Sequence, residues 1–225
     1  GRRLRRAPAR PARVIRTPAP ARVVRGPGAL DAVGAEVARL GARPVVTHGA
    51  VGEPRLRSRL DANLASAGLE PSRVRHEGPV TWASIAVLAD AVREQRCDVV
   101  VTVGGGRVID AGKAAAHDAG VPCVTIPTSP ATCAAVTSIS VAYDASGAWS
   151  GPAAGTACPD VCILDAEVLA AAPDRLLAAG VVDALVKVRE VRLAAPLATG
   201  QDAWTAAALA LCGVLAEHVD PRENP

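Results

Sequence analysis

Four short runs of branched apolar residues constrain the fold more than any other feature of this sequence. They occupy residues 44–49, 98–106, 121–129 and 161–165, and the segments between them carry apolar residues at helical spacing. A strand that is apolar at nearly every position is buried on both faces, and parallel strands need a crossover between them. The sequence therefore predicts an α/β domain with a doubly wound parallel sheet.

Further elements complete this prediction. A short strand is expected at residues 21–24 before a Gly-Pro-Gly turn, and residues 138–150 alternate as in a β-hairpin with its turn at 144–147. The hydrophobic spacing also predicts helices at residues 30–40, 55–67, 81–95 and 107–120.

The composition changes after Asp165, because residues 166–194 and 202–219 are rich in Ala and helical in pattern. The sequence thus predicts an α/β domain at residues 13–165 and the first helices of an all-helical domain at 166–225. Residues 1–12 are rich in Arg and Pro and contain no acid and no aromatic residue, which favours a disordered arm. A nucleic-acid or anionic-surface contact and a transit peptide are weaker alternatives, since aromatic residues and Ser are lacking.

The expected cellular context follows from other counts. Six cysteines without a CxxC pair fit reduced thiols in a cytoplasmic protein better than a disulfide framework. No apolar run approaches the ~20 residues that span a bilayer, so no membrane is expected as a partner. No nucleic acid is expected either, because the Arg-rich arm has no aromatic residue to stack on bases. The chain contains no Met, so Gly1 is not an untouched translation start.

Three glycines follow the strand at 99–103 and directly precede a helix. Because they lack Cβ atoms, Gly104, Gly105 and Gly106 would let the backbone approach a phosphate, and free N–H groups at the helix start could donate to it. The spacing is not GxGxxG, and a tight turn without a ligand is the alternative. Asp110 and Lys113 share one face of that helix, either as ligand contacts or as a surface ion pair.

A small hydroxylated loop, residues 128–133, follows the next predicted strand. In an open parallel sheet, ligands bind in the crevice beyond the carboxyl ends of the strands. The triple-glycine turn and this loop are therefore predicted to face the same crevice.

Four segments resemble the iron-containing alcohol dehydrogenase and glycerol dehydrogenase family. GGGRVIDAGK resembles the family's GGG-x-x-x-D-x-x-K stretch, and IPTSPATCAAVTSISVAYD resembles its PT-x-x-x-T loop and hairpin. The segment ending in GVVDALVKVRE and the opening VVRGPGAL also match, in the same order, within about Arg13 to Ala194. The resemblance implies a fold shared with dehydroquinate synthase, in which NAD or NADP and a divalent metal, Zn or Fe, lie between an α/β domain and a helical domain.

The resemblance implies roles for the residues of the first motif. Gly104, Gly105 and Gly106 would hold the cofactor pyrophosphate. Asp110 and Lys113 would line the cofactor site.

The resemblance also implies roles further along the chain. Thr128, Thr132 and Ser140 would contact the nicotinamide end of the cofactor, and Asp183 would be the first metal ligand. Cys133 stands where glycerol dehydrogenases have an acid that binds the polyol. A thiol cannot accept two hydroxyl hydrogen bonds as a carboxylate does, which argues against glycerol itself as the substrate.

Two histidines mark departures from the family pattern. The family completes its metal site with histidines far downstream of Asp183, and His218 is the only later histidine and is interpreted as a surface residue. The chain is therefore expected to stop before those ligands, and to show no ordinary turnover alone. His48 stands where NAD-selective members often carry an acid for the adenosine ribose, so NADP remains possible and discrimination against it should be weak.

The implied activity is that of an NAD(P)-dependent and metal-dependent alcohol or polyol dehydrogenase, which transfers hydride between a small alcohol and nicotinamide. A homo-oligomer is expected. Two alternatives stay open: a carbocycle-forming lyase of the dehydroquinate synthase kind, and a non-catalytic nucleotide-binding remnant. The D-x-x-K pattern argues against the lyase.

Overall fold

The computed structural model describes residues 19–144, 146–152 and 158–194. The predicted arm at 1–12, the predicted helix at 202–219 and His218 lie outside these residues. Within the described part, the strands are β1 (Arg22–Gly26), β2 (Pro44–His48), β3 (Ser72–Arg75), β4 (Val99–Gly104), β5 (Cys123–Pro127), β6 (Val141–Tyr143), β7 (Trp149–Pro152) and β8 (Val161–Asp165). The helices are α1 (Val33–Ala38), α2 (Gly52–Ser66), α3 (Trp82–Glu94), α4 (Gly106–Ala119), α5 (Ala166–Ala170) and α6 (Asp174–Ala194).

Six of these strands form one parallel sheet in the order β1-β8-β5-β4-β2-β3. The remaining two, β6 and β7, pair antiparallel as the predicted hairpin. The α/β class with a parallel sheet, predicted from the apolar runs, is therefore confirmed.

Helices cover both faces of the sheet, and neighbouring residues of the central strands face opposite layers. Val101 belongs to the core cluster on the α1 and α2 side, together with Leu60. Val100, the preceding residue, packs on the other side with Val92 of α3. Burial on both faces explains why β2, β4 and β5 are apolar at almost every position.

The connections leave β2 and β4 in opposite directions along the sheet. The chain passes from β2 outward to β3 at one edge, whereas it passes from β4 to β5 toward the other edge. The gap between the carboxyl ends of β2 and β4 is thus a topological switch point, where ligands bind in open α/β sheets.

Two local predictions differ from the structure. The edge strand β3 has no predicted counterpart, because Ser72–Arg75 contains a single apolar residue. The helix predicted at 30–40 begins instead as a 3-10 turn, Ala29–Ala32, where the Leu30 backbone N–H donates to Asp165 Oδ2 at 2.9 Å. The hydrogen bond to Asp165, which is far from Leu30 in sequence, holds the chain in this 3-10 turn.

The described helices that follow the sheet begin at Ala166, beside the predicted domain boundary. The division into two domains stays a prediction. None of the helices described here is both long and apolar enough to cross a membrane.

Candidate functional site

A pocket of about 770 Å³ opens at the switch point between the ends of β2 and β4. Five loops or helix starts contribute its walls. They lie within residues 49–56, 76–78, 104–108, 128–132 and 168–176. The triple-glycine turn and the hydroxylated loop therefore border the same pocket, as the sequence predicts.

The three glycines of the turn have different surroundings. A Cβ on Gly105 would meet no atom within 4 Å, so this position is open. A Cβ on Gly104 would lie 2.9 Å from the Val108 Cβ, and one on Gly106 would lie 2.7 Å from the Thr132 Cγ2. Gly104 and Gly106 thus allow close packing of the turn, whereas Gly105 leaves room for a ligand.

The start of α4 is suited to binding an anion. Gly105 is the N-cap residue, and no side chain of the described residues caps this 14-residue helix. The first N–H groups of a helix lack intrahelical partners and carry the positive end of its dipole. A phosphate beside Gly105 would receive these N–H groups as donors.

Two predicted threonines lie at the pocket. Thr128 and Thr132 both line it. The Thr128 backbone N–H donates to the Gly104 carbonyl at 3.0 Å, which ties the hydroxylated loop to the glycine turn. A Cβ on Gly52 would lie 2.6 Å from Thr128 Oγ1, so the start of α2 also packs closely against this loop.

Asp110 and Lys113 are buried and are not part of the pocket lining. Lys113 Nζ donates to the carbonyls of Thr137 and Ile139, at 2.9 and 2.8 Å, and lies 3.6 Å from Asp110 Oδ1. Burial lowers the pKa of Lys113 and raises that of Asp110, while the attraction within the pair opposes both shifts. The pair joins α4 to the segment before β6, and its predicted direct contact with the cofactor stays a prediction.

The remaining predicted residues lie away from the pocket lining. Ser140 is fully buried, and its Oγ has no hydrogen-bond partner among the described residues. Cys133 is half-buried. Asp183 on α6 forms an ion pair with Lys187, whose pKa is raised first by Asp183 and less by the nearby Cys133. Their predicted contacts with the nicotinamide, substrate and metal stay predictions.

The described residues do not complete a metal centre. They contain no group of three or more His, Cys, Asp or Glu side chains that could hold an ion. A catalytic Zn site ordinarily needs about three protein ligands, and Asp183 provides one carboxylate.

The structure also places in the pocket lining several charged or titratable side chains to which the sequence assigned no role: Arg55, His76, Glu77, Arg107 and Arg175. Arg107 directly follows the three glycines in GGGRVIDAGK, so the sequence alone could have predicted that it lies at the pocket. His76 follows β3, the strand that lacked an apolar signature. His48 does not line the pocket, since its Nδ1 lies 3.1 Å from the Gly49 carbonyl oxygen and 3.6 Å from Glu53 Oε2.

The parallel sheet and the glycine turn at its switch point define an open α/β protein with a candidate ligand site at the carboxyl ends of its strands. The sequence profile of the family described as iron-containing alcohol dehydrogenase matches residues 20–166. The chain is 31% identical over 199 residues to an uncharacterized oxidoreductase of Synechocystis sp., covering 88% of this chain and 50% of that protein. It is 33% identical over 173 residues to glycerol dehydrogenase of Thermotoga maritima, covering 74% and 45% of the two chains.

A solved structure supports the same assignment. The probable glycerol dehydrogenase from Sinorhizobium meliloti superposes with a TM-score of 0.70 at 30% identity, covering 78% of this chain and 48% of that one. This chain belongs to the iron-containing alcohol dehydrogenase family, which confirms the resemblance stated from its motifs. The chain spans about half the length of the curated relatives it matches.

Proposed function

We propose that this chain forms the nucleotide-binding part of an NAD(P)-dependent alcohol or polyol dehydrogenase. The observation that carries the proposal is the open position at Gly105, placed at an uncapped helix start and at the switch point of the sheet. Family membership and the name of the Thermotoga maritima relative support the alcohol or polyol substrate.

Different pocket residues would bind different parts of the cofactor. The N–H groups at the start of α4 would bind the pyrophosphate beside Gly105. The hydroxyl groups of Thr128 and Thr132 would bind toward the nicotinamide end. Val168 and Leu176, which also line the pocket, would offer apolar surface to a base. The nicotinamide itself would carry the hydride.

A divalent metal, Zn or Fe, belongs to the proposal as a family expectation. Such an ion acts as a Lewis acid on an alcohol oxygen. Asp183 is the candidate ligand on this chain, and further ligands would have to come from outside the described residues.

Calorimetric titration of the full chain with NADH and NADPH tests the nucleotide site. We expect at least one of them to bind with a dissociation constant in the micromolar range or below, about −8 kcal/mol or stronger. Absence of binding by both would overturn the proposal.

A second measurement tests the reaction. The chain is incubated with Zn²⁺ or Fe²⁺, NAD or NADP and a panel of small alcohols and diols, and nicotinamide reduction is followed by absorbance. Net reduction would support the dehydrogenase. Cofactor binding without net reduction, in a protein that converts a sugar-phosphate acid into a carbocycle, would favour the lyase alternative.

A further inference from the structure

The pocket carries more cationic groups than a pyrophosphate at a helix start requires. Arg55, Arg107 and Arg175 line it, and within the described residues none of the three forms an ion pair. The one acid in the lining, Glu77, forms an ion pair with Arg75 at 2.6 Å. The described lining therefore holds a clear excess of positive charge, which suits an additional anionic group on the ligand.

His76 provides a second, independent observation. It lines the same pocket but is only 6% exposed, and its Nε2 has no hydrogen-bond partner in the described part of the chain. Burial and then the charge of Arg107 lower its pKa. A buried polar nitrogen without a partner is costly, so a ligand atom that hydrogen-bonds to it would remove that cost.

The topology places these groups at one strand end. In the sheet, β3 and β4 flank β2. His76 follows β3, and its backbone N–H donates to the His48 carbonyl at the end of β2, at 2.8 Å. Arg107 follows β4 and is close enough to His76 for its charge to lower the imidazole pKa. The two side chains therefore approach each other across the end of β2.

In dinucleotide sites, the strand end that corresponds to the end of β2 lies next to the adenosine ribose. Beside the glycine-bearing strand, an acid binds the adenosine ribose diol of NAD, whereas an arginine accommodates the 2′-phosphate of NADP. His48 offers no carboxylate there, and it is turned toward Glu53. Two carboxylates lie near this strand end, but each is neutralised by arginine: Glu53 pairs with Arg57 and Arg73, and Glu77 pairs with Arg75. Arg55 and Arg107 form no ion pair within the described residues, so they and His76 would attract a phosphate.

We infer that Arg55, Arg107 and His76 bind a phosphate monoester on the adenosine ribose, and that NADP is preferred over NAD. The two arginines neutralise the dianion, and His76 supplies a short-range hydrogen bond from a fixed position. The inference rests on the proposed function, because it requires the pyrophosphate at Gly105. The inference goes beyond the proposed function because it names the preferred cofactor and the residues that select that cofactor.

The test is calorimetric titration of the full chain with 2′,5′-ADP, 5′-AMP and inorganic phosphate. We expect 2′,5′-ADP to bind at least about tenfold more tightly than 5′-AMP, and NADP to exceed NAD by a similar factor, ~1.4 kcal/mol. Arg107→Gln and His76→Gln should each reduce that ratio at least about fivefold, because they weaken the binding of 2′,5′-ADP more than that of 5′-AMP. Arg39→Gln removes the same charge at an exposed position outside the pocket, and serves as the matched control.

The outcomes separate the two proposals. If 2′,5′-ADP and 5′-AMP bind equally well, the phosphate site is wrong and the nucleotide site stands. If neither nucleotide binds, the proposed function fails and the inference fails with it. An affinity ratio that both variants leave unchanged would refute these residues as the phosphate ligands. Inorganic phosphate binding as tightly as 2′,5′-ADP would show an anion site unrelated to adenosine.

Because Arg107 is exposed, Arg107→Gln keeps the test valid even if His76→Gln impairs folding.

Discussion

The two halves of GGGRVIDAGK have opposite environments, although they are adjacent in sequence. The first half borders the pocket, where Gly105 is open and Arg107 is exposed. The second half is interior, where Lys113 is 2% exposed and donates to two backbone carbonyls of another segment. One turn of helix separates a ligand-facing surface from a buried hydrogen-bonded pair.

This difference separates two roles that a single motif suggests. Residues at the helix start border the pocket, because they follow directly on the carboxyl end of β4. Residues one to two turns later lie against the sheet and the β6 segment, so they hold the fold in place. The predictions below test whether binding and stability divide along this line.

Gly105→Val should have the largest effect. The added Cβ would meet no protein atom within 4 Å, so the fold should persist. The branched side chain would occupy the open space at the helix start, so cofactor binding should be lost. We expect a loss of at least about a thousandfold in NAD(P)H affinity, ~4 kcal/mol, by calorimetry. Ala86→Val, which introduces the same side chain at an exposed position of α3, is the control. Unchanged cofactor affinity in Gly105→Val would refute the assignment of the turn.

Lys113→Met should act mainly on stability. The variant keeps the unbranched shape and most of the length of the side chain but leaves Asp110 and two carbonyls without their cationic partner. We expect the free energy of unfolding to fall by about 3 kcal/mol in urea titration. The double variant with Asp110→Asn should lose less than the sum of the single variants. A large loss of cofactor affinity at unchanged stability would instead place Lys113 in the cofactor site.

Gly112→Ala should have a smaller effect of the same kind. The added Cβ would lie 2.7 Å from Thr102 and Thr47 side-chain atoms, where α4 packs against β4 and β2. We expect a loss of about 2 kcal/mol in unfolding free energy, and ordinary cofactor affinity in the folded protein. A neutral result would show that α4 can shift away from the sheet without cost, against the rigid role given to this half of the motif.

The pH dependence at His76 should be the smallest effect. Its pKa is lowered in the folded protein, so above the unfolded value of about 6.5 the residue is neutral in both states and contributes no slope. As pH falls below that value, the unfolded chain takes up a proton that the folded protein resists, and stability declines. His76→Gln should remove this decline, which amounts to at most one proton in a comparison of unfolding free energy against pH. Equal slopes for both proteins would contradict the lowered pKa.

Local sequence patterns determined much of this molecule. Largely apolar runs indicated β2, β4, β5 and β8, because strands covered on both faces are apolar at most positions. Gly104–Gly106 between a strand and a helix indicated the turn that borders the pocket, and the ordered motifs indicated the family. These features depend on neighbouring residues, so the sequence carries them directly.

Tertiary structure alone decided which residues meet. The polar edge strand β3 carries no apolar run, so no local pattern indicated the strand or the position of His76 at its end. The approach of His76 to Arg107 depends on β3 and β4 lying on either side of β2, an order that no local pattern encodes. The burial of Ser140 and the ties from Lys113 to Thr137 and Ile139 arise in the same way. Spacing along a helix places two residues on one face, but only the packing of the other elements decides whether that face meets solvent, a ligand or the core.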